Sequence, residues 1–444
     1  MNGHFSPADW LVIVAYLGGI VALGVWFGRD QHSTRDYFLG SRNIPWWGIG
    51  LSIVAAETSA LTIIGVPAIA YGSDILFIQM IAGYVIARLI LAVVLVPHYL
   101  SGEIYSPYQL LEQHLGRGPR RLAGAFFLFL ETLAAGGLFA LLYIPTRVAG
   151  GWDAALAQAA AAGKLVWLNT RFTFSAPFNI WMGVIGGTVL VLSSHGAEQL
   201  IVQRVLACRN VADGRKALVL SAALIFPLFL IFLLVGVMLW VFYQSHPLQI
   251  PLPEARPGLK SNDFIFPIFM LTEVPPVLKG FLIVAILSAA MSSISSALTA
   301  LASVSTMDFL QPLLPGRSEA WLLRFSRYST VFWAGALVFV AWLTREAQFV
   351  LNAAFSLRGL TSGALLGGLL LALFGRRVGA RAAMAGMVAS LLVMNALYWP
   401  ANIPATREWW LHTFGGEVFW PWFTLIGTGV TLGTAWLARA LRPE

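Results

Sequence analysis

Apolar residues run in long blocks along this chain, and short clusters of charges, prolines and glycines separate one block from the next. The blocks are too long and too evenly apolar for the alternation of a half-buried strand or the single stripe of a soluble surface helix. They match helices that cross roughly 30 Å of hydrocarbon, which takes about 20 residues each. The pattern predicts spans near residues 9–28, 46–71, 75–99, 122–145, 178–200, 217–243, 278–306, 324–343, 347–374, 378–399 and 418–438. This is an all-α, polytopic membrane protein of about 11 transmembrane helices in a single domain over residues 1–444. The first block lacks a basic leading segment and a small-residue cleavage site, so it is expected to stay as a helix rather than act as a signal peptide.

Composition agrees: 58% of the 444 residues are hydrophobic and only 11% are charged, with a mean hydropathy of +0.76. A water-soluble fold has no interior large enough for that. The net charge of +8 follows from topology. With the N-terminus outside, 18 of the 28 Lys and Arg residues fall in cytoplasmic loops or the tail, 8 fall outside and 2 lie within spans. That bias predicts a multi-pass plasma-membrane protein with an external N-terminus and a cytoplasmic C-terminus. Nucleic acid is not needed to explain the basic residues. Cys208, the one cysteine, lies in a cytoplasmic loop and has no intramolecular partner. No C-x-x-C, H-E-x-x-H or phosphate-loop pattern points to an enzyme.

Polar groups at bilayer depth are tolerated where they line a cavity or are buried in protein, so they mark candidate sites. In "IVAAETSALTIIGVP" (53–67), Glu57, Thr58, Ser59 and Thr62 interrupt an oily span just before Gly65 and Pro67. The helix can unwind there and release carbonyls to a cation, or its hydroxyls can simply bond back to the preceding turn. In "GTVLVLSSHGAEQLIVQR" (187–204), Ser193, Ser194, His195, Gly196 and Glu198 interrupt a second span. Two interrupted helices in matching places are the trace of an inverted-repeat transporter, though Glu198, Gln203 and Arg204 also suit a cytoplasmic helix end. In "AILSAAMSSISSALTALASVSTMD" (285–308), serines occupy several faces, which suits close helix packing and equally a hard cation that wants oxygen ligands. Arg88 and Arg358 are the arginines within spans. Glu57 and Glu131 are the intramembrane acids available to pair with Arg88, while Arg358 sits among small residues and is compatible with holding a carboxylate.

Together these stretches resemble the sodium:solute symporter family, which shares the LeuT-like inverted-repeat fold. "DYFLGSRNIPWWGIGLSIVAAETSALTIIGVPAIAYG" is similar to its broken second span and the preceding loop, and "IYSPYQLLEQHLG" to a cytoplasmic segment, with His114 where an Arg is common. "GAEQLIVQRVLACRN" and "DFIFPIFMLTEVPPVLKGFLIVAILSAAMSSISSALTALASVSTMD" resemble the second broken helix and the serine-rich helix with its outer loop. The resemblance implies Na+ as coupling ion, held by the carbonyls of Ala55, Thr58 and Ala289 and the hydroxyls of Ser292 and Ser293. Glu57, Ser59, Arg88, Ser194 and Arg358 are the candidates for the substrate pocket.

One departure stands out. Where the family has three helices between the third span and "GAEQLIVQR", this chain has one, and the family's Y-T-x-x-G-G motif is missing. The expected architecture is therefore a first helix and cytoplasmic loop (1–45), a shortened first repeat (46–150), a second repeat (178–374) and two C-terminal helices (378–444). An even number of lost crossings keeps every later loop on its own side. The resulting expectation is a sodium-coupled symporter that imports a small organic solute by alternating access. "SALTIIGVPAIAY" is nearest the branch that handles monocarboxylates, vitamins and iodide, which favours an organic anion. A shortened homologue that senses or binds ligand without transport, and a proton-coupled transporter using Glu57 or His195, are the alternatives.

Overall fold

A computed structural model describes residues 5–27, 45–97, 137, 139–206, 208–256, 259–343, 350–375 and 378–441. In chain order the helices are α1 (Pro7–Phe27), α2 (Trp46–Glu57), α3 (Ala60–Gly72) and α4 (Ile78–Ile90), the last running on through a wider π turn at Leu91–Leu95. Helical residues at 139–147 lead to α5 (Gly151–Ala161), α6 (Met182–Gly196), α7 (Gln199–Leu206) and α8 (Val211–Ser245). There follow α9 (Asn262–Thr272), α10 (Leu278–Ser303), α11 (Glu319–Leu343), α12 (Val350–Phe374), α13 (Ala380–Asn402), α14 (Pro404–Phe414) and α15 (Phe423–Leu441). Helices occupy ten of the eleven predicted spans. Of the other, 122–145, most lies outside the described residues, as does Glu131.

Among the described residues, five helices are long and apolar enough to cross a membrane, or six if the bent pair α2–α3 counts as one span. Large apolar side chains of the kind a bilayer requires face outward on these helices, such as Val219 on α8, Leu365 on α12 and Leu392 on α13, and also on α1 (Val21, Trp26) and α11 (Val331, Phe332). Between the spans the chain folds into pieces that read only as loop in the sequence: α5, α9, α14 and a short antiparallel hairpin pairing Glu254–Arg256 with Leu259–Lys260.

The core gathers around α8. Its 35 residues extend about 52 Å at 1.5 Å per residue, more than a bilayer's hydrocarbon requires. The buried faces of this helix, including Ile225, Phe229, Phe232 and Leu239, pack against α2, α3 and α4. Two contacts set the spacing of the helices that matter for function. A Cβ added at Gly236 of α8 would strike the Pro67 carbonyl of α3, so these backbones touch. Gly83 of α4 and Gly183 of α6 likewise meet backbone to backbone, because either side chain would collide with the other helix's carbonyls. Small residues at a helix interface permit that approach where lipid supplies no hydrophobic driving force. A second bundle of α12, α13 and α15 closes in the same way, with Gly363 against Gly427 and Gly386 against Thr431.

Candidate sodium and solute site

The unwinding at 57–59 is real. α2 stops at Glu57, α3 starts at Ala60, and the two axes differ by 57°. A helix ends with four carbonyls that lack intrahelical partners, and their fate decides what the break is for. Thr58 satisfies the Val54 carbonyl twice, through its amide and its hydroxyl, both at 2.9 Å. Thr62 Oγ1 donates to the Glu57 carbonyl at 2.8 Å. No hydrogen bond to the carbonyls of Ala55 or Thr58 is found among the described residues. The hydroxyls of Thr58 and Thr62 thus bond back as the simpler reading expects, and in doing so they leave open the two carbonyls that the resemblance assigns to the ion.

Serine-rich α10 packs along both halves of the broken span and also touches α7. Ala289 is buried on it, and Ser293 Oγ lies 3.2 Å from the Ala289 carbonyl, to which it donates. Ser292 lies one residue earlier in the same helix. These oxygens are neutral donors of the kind a hard monovalent cation accepts. Among the described residues no group of three His, Cys, Asp or Glu side chains is placed to hold a metal.

α10 is anchored from an unexpected direction. Asp9, near the start of α1, accepts from the amides of Val277 at 2.8 Å and Gly280 at 3.0 Å, capping the helix from 271 residues away in the chain. Val277, a β-branched residue, is held at φ 70°, a conformation that persists only when its surroundings impose it. Neither Asp9 nor Val277 carries a signal in the sequence.

The second interruption also appears: α6 ends at Gly196, and α7 begins at Gln199. Because α4 and α6 touch at Gly83 and Gly183, Arg88 and His195 are brought to one level. The Arg88 guanidinium contacts Glu57 Oε2 directly and donates to the Tyr84 carbonyl at 2.9 Å. His195 Nε2 lies 3.1 Å from Glu57 Oε1 and 3.4 Å from Arg88 Nη2, while Ser194 Oγ sits 2.7 Å from His195 Nδ1. Arg88 is fully buried and the Glu57 side chain is 15% exposed. One carboxylate therefore ties the break in α2–α3 to α4 and to the end of α6. Ser193 Oγ continues the chain of contacts by donating to the Ser362 carbonyl of α12 at 2.8 Å.

Arg358 of α12 pairs with Glu198, in the gap between α6 and α7, through Nε at 2.9 Å and Nη2 at 2.6 Å. Sequence reading missed this fork. Glu198 looked like a helix end, and nothing in a linear pattern links it to a residue 160 positions away. Arg204 of α7 donates to the Ser52 carbonyl of α2 at 3.1 Å, joining the two broken spans a second time. Ser59 starts α3 without a side-chain cap bond and is half-buried at the break. Of the residues singled out from sequence, Glu57, Arg88 and Ser194 come together in one network through His195. Arg358 meets Glu198, and Ala55 and Thr58 lie on the span against which α10, the helix of Ala289, Ser292 and Ser293, packs.

Helices broken at two matching points, with open carbonyls at one of them, define a polytopic membrane transporter. The profile of the sodium:solute symporter family matches residues 37–135 and 132–390. The chain belongs to the sodium:solute symporter family. It is a secondary transporter rather than an enzyme, and Na+ is the coupling ion. The chain is 28% identical to the sodium/sialic acid symporter NanT of Aliivibrio fischeri, across 87% of this chain and 87% of that protein. It is 25% identical to the sodium/glucose cotransporter of Vibrio parahaemolyticus, across 90% and 87%. A solved structure of a Na+-coupled sialic acid symporter, substrate-bound and outward-open, superposes with a TM-score of 0.78 over 99% of this chain and 98% of that one, at 23% identity. The fold is thus LeuT-like.

Proposed function

We propose that the protein imports a small organic solute by alternating access, with one sodium ion bound by the carbonyls of Ala55, Thr58 and Ala289 and the hydroxyls of Ser292 and Ser293. The observation that carries the ion site is the selective capping at the break: the carbonyls of Val54 and Glu57 are bonded, while those of Ala55 and Thr58 have no hydrogen bond among the described residues, on a span against which the serine-rich helix packs. Sodium would hold α2–α3 against α10, and its departure would loosen that seam. The network of Glu57, Arg88, Ser194 and His195, with half-buried Ser59 and the Arg358–Glu198 pair beyond it, supplies polar walls for the solute.

The first repeat in this reading is shortened. The family profile matches in two pieces that overlap at 132–135. The N-terminus lies outside and the C-terminus in the cytoplasm, as the basic residues require. Uptake of labelled sugars, amino acids and monocarboxylates into proteoliposomes, with and without an inward sodium gradient, tests the whole proposal. At least one solute should accumulate only with the gradient. If none does, and sodium fails to stabilise the protein relative to potassium, the symporter reading is lost.

A further inference from the structure

Both arginines within the predicted spans are already neutralised by carboxylates. Arg88 is held by Glu57, and Arg358 by both oxygens of Glu198. The two pairs are not independent: Arg358 interacts electrostatically with Glu57 and with His195, so four charges of alternating sign form one cluster between the two broken spans. Their sum is zero. The fork-to-fork pair fills the Nε–Nη2 edge of Arg358 and cancels its charge, so an incoming anion meets a neutral pair and must compete with a tethered carboxylate for that edge. What stays open beside the cluster is hydrogen-bonding capacity. The Tyr84 hydroxyl is buried with no hydrogen-bond partner among the described residues, and the Ser59 hydroxyl makes no cap bond.

We infer that the solute carries no net negative charge, being polyhydroxylated or zwitterionic, and that Glu198 is the specificity-determining residue that keeps Arg358 from binding anions. This rests on the symporter reading for the place of the site, and it reverses the organic anion that the sequence favours. Glu198 acts through Arg358 and so is a positioning residue. Removing its charge while keeping its shape should convert Arg358 into an anion handle.

Pyruvate binding to the purified full-length protein, followed by thermal shift at constant sodium with chloride as the balancing anion, tests this. Wild type is expected to show half-saturation at least ten-fold weaker than E198Q, and E198Q/R358Q should return to the wild-type response. Wild-type binding as tight as that of E198Q overturns the proposal, as does an E198Q variant that gains nothing. Should E198Q fail to fold, wild type decides: saturable pyruvate binding overturns the proposal, and its absence upholds it. The comparison is made at fixed sodium, so a missing sodium response would count against the symporter reading alone.

Discussion

Glu57 and Arg88, 31 residues apart and on different helices, share a direct carboxylate–guanidinium contact from which water is nearly excluded. Removing one member of such a pair strands the other's charge, which costs about 3–5 kcal/mol, whereas removing both can be close to neutral. Arg88→Met should therefore destabilise the protein more than Glu57→Gln combined with Arg88→Met. Thermal unfolding of the single and double variants in detergent gives the coupling, and additive losses would show that the contact carries no energy of its own.

Ser292→Ala and Ser293→Ala should each raise the sodium concentration for half-maximal binding several-fold, since each deletes one of five proposed oxygens. Thr58→Ala should do less, because its hydroxyl serves the Val54 carbonyl at 2.9 Å and only its backbone carbonyl is among the proposed ligands. Sodium titrations monitored by intrinsic fluorescence rank the three, and an unchanged sodium response in the Ser292/Ser293 double variant would move the ion elsewhere.

Asp9→Ala should cost about 1–3 kcal/mol, the penalty of leaving buried donors without an acceptor. Asp9 takes the amides of both Val277 and Gly280, so its loss should also relax the strained Val277 backbone. Proteolysis near 277 should speed up in the variant; equal rates in variant and wild type would show that the cap is dispensable.

Gly83→Ala should separate α4 from α6, because its methyl would meet the Gly183 carbonyl. Overpacking of this kind costs about 1–3 kcal/mol, and here it also pulls Arg88 away from His195. Solute uptake should fall further than stability does, which paired transport and melting measurements on the same preparation will show.

Cys208 should be silent toward alkylating reagents. Burial, with a smaller push from Asp213, raises its thiol to about 12, so at pH 8 roughly one molecule in ten thousand carries the reactive thiolate. Iodoacetamide labelling should require denaturant, and quick labelling of the folded protein would contradict the buried position.

Much of this architecture was legible in the chain because a bilayer imposes simple rules. Span positions follow from apolar length, and both helix interruptions follow from polar residues in places lipid does not tolerate, at 57–59 and at 193–198. The Glu57–Arg88 pairing was within reach as well, since so few intramembrane acids were available. Partnerships fixed by packing were hidden. His195 joins Glu57 because the Gly83–Gly183 contact sets α6 against α4, and Glu198 meets Arg358 because α6 also packs on α12, and no periodicity encodes either. The outer pieces α5, α9 and α14 were passed over for a different reason: short helices between spans have too few residues to stand out against neighbouring apolar blocks.

The cap that Asp9 places on α10 has a bearing on how the protein is made. At roughly ten residues per second, about half a minute of translation separates the appearance of Asp9 from that of Gly280. Through that interval the first span must wait in the membrane, its carboxylate held only by the nearby Ser6 amide at 2.8 Å and hydroxyl at 2.7 Å. The serine-rich helix cannot start correctly until it finds a residue made 271 positions earlier, so assembly of the proposed sodium site is a late event that depends on the spans between the two being in place.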